Sequence, residues 1–97
     1  MRIGIGQSAL SAKHAGFYVV QLKQEGHEIT PISEIDTNCT VLEVYICDNL
    51  DELILLVDIV RHLLFFPTKY NQHEKEPKGI VRVGSWWEIY NHIRYEI

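Results

Sequence analysis

Cysteine is scarce in this chain, Cys39 and Cys47 being the only two, and the spacings by which cysteine and histidine usually hold a metal are missing. Neither C-x-x-C nor H-x-x-x-H occurs, so no metal and no cofactor is expected, and the two cysteines read as structural thiols. Long apolar runs are also lacking. The longest, Leu53-Ile54-Leu55-Leu56-Val57, falls far short of the roughly 20 residues a bilayer requires, and no membrane association is expected. No charged-then-apolar leader follows Met1, which points to a cytoplasmic location. Positive charge is missing from the middle of the chain: from Glu28 to Asp58 every charged residue is an acid. Nucleic-acid binders draw much of their affinity from Lys and Arg on phosphate, so nucleic acid is not an expected partner, and a basic protein surface suits the acidic stretch better. No cluster of residues suggests catalysis, and the reading leans away from an enzyme.

The 97 residues, 46% hydrophobic and 23% charged, have the composition of one small globular domain spanning 1–97. Arg2 to Ile5 reads as a first strand. Ser8 or Ser11 can cap a helix running to about Glu25, with Ala12, Ala15, Gly16, Val19 and Leu22 inward and Gly26 as its stop. His27 to Ile35 reads as a strand that Pro31 confines to an edge. Val41 to Cys47 alternates, with Leu42, Val44 and Ile46 facing one way and Glu43 and Tyr45 the other. This is the pattern of a sheet with one wet face.

Asn49 and Glu52 form a capping-box pair opening a helix whose inward face is Leu53, Leu56, Val57, Val60, Leu63 and Leu64, closed by Pro67. Thr68 to Lys78 reads as a mobile loop and Ile80 to Val83 as a strand. The tail reads two ways. Trp87, Ile89, Ile93, Tyr95 and Ile97 alternate as a strand, the preferred reading, while Ser85 and Glu88 offer a helix cap. The expected fold is therefore α+β: two helices on one face of a mostly antiparallel four- or five-stranded sheet, in ferredoxin-like βαββαβ order with an extra C-terminal strand.

Gly4-Ile5-Gly6-Gln7-Ser8, between strand and helix, is the most suggestive local feature. Glycines there can expose amides to an anion, making Gly4, Gly6, Gln7 and Ser8 candidate ligand-binding residues. The dinucleotide fingerprint lacks its third glycine, Ala9 standing there, and the P-loop lysine is missing. Residues Arg2 to Ser11 also resemble the opening of the porphobilinogen deaminase family, Arg2, Ile3, Gly4, Gln7, Ser8 and Leu10 matching. Gly6 stands where that family has the arginine that binds pyrrole carboxylates. The likeness covers about a tenth of the chain, and that family's activity is not carried over.

A two-helix, one-sided sheet leaves its other face needing cover. Tyr45 on that face, Leu55 and Ile59 on the outer side of the second helix, and the adjacent Trp86 and Trp87 are the candidate interface residues. The leading expectation is a small non-enzymatic domain that binds a second copy of itself or another protein. The alternative is a small-molecule or phosphate-binding domain using the first loop.

Overall fold

Val44-Tyr45-Ile46-Cys47 is buried along its whole length, which places it in the middle of a sheet covered on both faces. A computed structural model, which describes residues 1–33 and 41–97, has nine elements among them. In chain order they are β1 (Arg2–Gly6), α1 (Gln7–Leu10), α2 (Ala15–Gln24), β2 (Glu28–Ile32), β3 (Val44–Cys47), α3 (Leu50–Leu55), β4 (His62–Phe65), β5 (Ile80–Arg82) and α4 (Trp86–Tyr95). The strands form one five-stranded sheet in the order β2-β1-β3-β4-β5. Every pairing is parallel, with Ile5 opposite Pro31 on one side and Ile46 on the other.

This corrects the mostly antiparallel, ferredoxin-like expectation. Central strands of a parallel sheet are apolar on both faces, so they read as continuous hydrophobic runs rather than as alternation. Glu43, which suggested a wet face, lies just outside β3. Its amide donates to the Arg2 carbonyl and its carbonyl accepts from the His62 amide, at the amino edge of the sheet.

The sequence predicts one long helix from the Asn49 cap to Pro67, but α3 ends at Leu55 and His62-Leu63-Leu64-Phe65 is strand β4. A short buried apolar run fits helix or strand equally by periodicity. Here burial on both sides decides for strand, since Leu63, Leu64 and Phe65 are all enclosed.

The tail is also corrected, from strand to helix. Ser85 Oγ accepts from the Glu88 amide at 3.2 Å, and the Glu88 carboxylate accepts from the Gly84 amide. With the N-terminus of α4 thus satisfied, Trp86, Ile89, Tyr90 and Ile93 turn inward at helical spacing.

The covering layers fall on both faces rather than one. On the first side, α1, α2 and α4 pack Ala9, Ala15, Leu22, Trp86, Ile89 and Ile93 over Ile3, Ile5, Val44, Ile46 and Leu64. Trp86 Nε1 donates to the Ala9 carbonyl at 2.7 Å, joining the last helix to the first. On the second side, Leu50, Leu53 and Leu56 of α3 and its following turn lie over Tyr45, Cys47, Leu63 and Phe65.

The first helix is broken. His14 adopts φ 70°, and α2 begins only after it. Gly26, at φ 96°, ends α2. The His27 amide donates to the Leu22 carbonyl and the Gly26 amide to that of Lys23, the paired bonds of a Schellman motif. β2, with Pro31, is an edge strand, as proline's missing amide requires.

The segment expected as a mobile loop is tied down. Arg82 donates to the Glu76 carboxylate at 3.0 Å and to the carbonyls of Gln72 and Glu74, and its guanidinium lies over the Phe65 ring. Asn71 Nδ2 donates to the Asp48 carbonyl at 2.6 Å, fastening the loop to the end of β3.

Candidate functional site

The strand order reverses at β1: the chain steps outward to β2, then returns past β1 to β3. Where neighbouring parallel strands send their following connections to opposite faces, a crevice opens beyond their carboxyl ends, and open α/β sheets bind ligands there. In this protein the connection after β1 enters the α1/α2 side, and the one after β3 enters the α3 side. The crevice between them measures about 290 Å³ and is lined by Gly6, Gln7, Ser8, Ile32, Ser33, Tyr45, Cys47, Asp48, Asn49 and Glu52.

Each lining group is positioned by a local cause. Gly6 has extended backbone, at φ −70° and ψ 159°. A Cβ there would lie 3.1 Å from Cys47 Cβ, so glycine lets β1 and β3 approach closely at the mouth. Gly4, two residues back, leaves room for the Leu42 side chain, since a Cβ there would fall 2.5 Å from Leu42 Cδ1. Asn49 Oδ1 accepts from the Glu52 amide at 3.2 Å, capping α3 and holding Glu52 at the crevice. Tyr45 Oη donates to Glu52 Oε2 at 3.3 Å, and Cys47 Sγ donates to the Asn49 carbonyl at 3.4 Å.

Burial pushes the Cys47 thiol up to about 12 and raises the Tyr45 hydroxyl above its ordinary value, with Glu52 nearby adding to both effects. Both groups are protonated at neutral pH, so Cys47 is not poised as a nucleophile. Among the described residues, the lining contains two carboxylates, two amide side chains and two serine hydroxyls, and no lysine, arginine or histidine.

A larger cleft of about 470 Å³ lies at the other end of the same edge, lined by Pro67, Thr68, Lys69, Gln72, Arg82, Val83, Gly84 and Glu88. Two of its charged side chains are already engaged, Arg82 with the 72–76 segment and Glu88 with Gly84. It is also away from the reversal of strand order, so the smaller crevice is the better candidate.

Among the sequence-derived site residues, Gly6, Gln7 and Ser8 lie together in the crevice, whereas Gly4 is buried within β1. The interface candidates are dispersed. Tyr45 and Trp86 are each 1% exposed, inside opposite cores. Leu55 is 72%, Trp87 63% and Ile59 49% exposed. Cys39 lies outside the described residues; Cys47 is a buried free thiol. Asp48, Asn49 and Glu52 were not singled out as site residues, although an Asp-Asn pair directly after an apolar strand is a signal once that strand is known to be parallel to β1. Among the described residues, no helix is long and apolar enough to cross a membrane.

The chain is thus a five-stranded parallel sheet with helices on both faces and a polar crevice at its reversal point. No family, curated protein or solved structure matches it.

Proposed function

We propose that this domain binds a small polar molecule in the crevice between the carboxyl ends of β1 and β3. The observation that carries the reading is the coincidence of the strand-order reversal with a cavity lined by residues at the ends of β1, β2 and β3 and by residues of α1 and α3. At about 290 Å³ the space lies just below the range of ligand pockets, roughly 300–1,000 Å³, which limits the ligand to a small one. Protonated, internally bonded Tyr45 and Cys47 favour binding without turnover. The test is an amide NMR titration with a mixture of small amines, polyols, nucleosides and phosphorylated compounds. Shifts confined to Gly6–Ser8, Ser33 and Cys47–Glu52, and abolished by Ser8→Trp, support the reading. Shifts elsewhere, or none, refute it.

A second reading, contact with another protein or a second copy of this chain, is favoured by one observation. Ile54, Leu55, Val57 and Ile59 are all exposed within and just after α3, a concentration of apolar surface of the kind found at interfaces. The support moves from a bare sheet face to this helix end. Light scattering over a dilution series checks it: a dimer or larger species disrupted by Leu55→Asp is expected, and a monomer at every concentration refutes self-association.

A further inference from the structure

We infer that the crevice at the β1/β3 reversal selects a small organic ammonium compound over phosphate; this rests on the ligand-binding reading above. A glycine-containing turn before a helix suggests anion binding, but the geometry removes each component of that site. Gly4 and Gly6 serve strand packing, and Gly6 is extended rather than turned toward a ligand. The helix that follows has four residues, too few for its dipole to contribute much.

The charge around the cavity is of one sign. Asp48 and Glu52, both partly buried, line it without a single cationic neighbour in the lining. The whole stretch from Glu28 to Val60, which supplies β2, β3 and α3, contains no lysine, arginine or histidine. An entering phosphate would meet two carboxylates and no counter-charge. An ammonium group brings up to three donors that the Asp48 and Glu52 carboxylates can accept, while Tyr45 and Cys47 spend their own protons inside the protein. In a partly desolvated crevice that attraction exceeds its value in bulk water. Among the described residues no group of three His, Cys, Asp or Glu side chains could hold a metal ion, which favours an organic cation over a bare one.

The experiment is an NMR titration of the full chain with ethanolamine, putrescine and choline. Glycerol serves as the neutral probe and inorganic phosphate as the anion, all at constant ionic strength. At least one ammonium compound is expected to shift the amides of Gly6–Ser8, Ser33 and Cys47–Glu52 saturably, with phosphate leaving them unmoved. Glu52→Gln and Asp48→Asn each remove one charge-assisted partner and should weaken that binding about tenfold or more. The Asp48 variant is the safer one, since Asp48 holds Asn71 through its backbone carbonyl rather than its carboxylate. If glycerol or phosphate moves the same amides as strongly, or if Asp48→Asn leaves the ammonium affinity unchanged, the charge selection is wrong while the site stands. If no probe moves those amides, the ammonium proposal fails, and the broader titration above judges the site alone.

Discussion

The two sides of the sheet are built differently. One is sealed by α2 and α4, each ten residues long, with Trp86 spanning to the first helix through its bond to Ala9. The other is covered by the six-residue α3 and the turn after it, and both β1 glycines face it. The first side holds the fold together. The second has the shorter helix and frames the crevice, so the thinner cover is where binding has room to occur.

Trp86→Ala should sharpen that contrast most. It empties a fully buried indole site and removes one of two hydrogen bonds to the Ala9 carbonyl, which keeps that from the Ala12 amide, at a cost of roughly 3–5 kcal/mol in denaturant unfolding. A cost below that of typical surface changes would show that the first side is not the anchor.

Alkaline pH is the next lever and acts on the α3 side. Burial raises the folded thiol of Cys47 from 9.0 to about 12, so between those values the unfolded chain has lost a proton that the folded chain keeps. Stability is therefore full below pH 9 and falls as pH rises toward 12, with Tyr45 acting in the same sense. Cys47→Ala should flatten part of this slope in a pH series of thermal melts.

Gly4→Ala tests the close packing under α3. The new methyl would press on Leu42 Cδ1 and on Ile32 Cγ1, 3.1 Å away, costing about 1–3 kcal/mol by chemical unfolding. Combining it with Leu42→Val should give less than the sum of the two costs, because the smaller side chain makes room. Removing a helix cap, by Ser85→Ala on one side or Asn49→Ala on the other, should cost about 1 kcal/mol each. Smallest of all, Leu55→Ser should stay within about 0.5 kcal/mol of the parent in the same assay, since the side chain is exposed.

Local chemistry explains which parts of the fold could be read from residues. Gly26 stops α2, Pro31 marks an edge strand and Asn49 caps α3, each through a backbone requirement that one residue satisfies. Strand direction has no such signature. The Leu63-Leu64-Phe65 run of β4 reads as helical in sequence because it continues the helical period of Leu53 and Leu56 across what is a turn. The tail has two compatible periods, and the Ser85 cap together with a core waiting for Trp86 selects the helix.

The crevice was half visible. Gly6, Gln7 and Ser8 stood out as a turn, but their partners Asp48, Asn49 and Glu52 join them only because β1 and β3 run parallel side by side.

The parallel flanking of β1 on both sides is best tested by interstrand nuclear Overhauser contacts in the isotope-labelled protein. Amides of Ile3 to Gly6 should contact both Glu28–Ile32 and Val44–Ile46, in the staggered pattern of parallel ladders. Close Hα–Hα pairs between β1 and either neighbour, the mark of antiparallel pairing, would contradict the fold and remove the crevice with it.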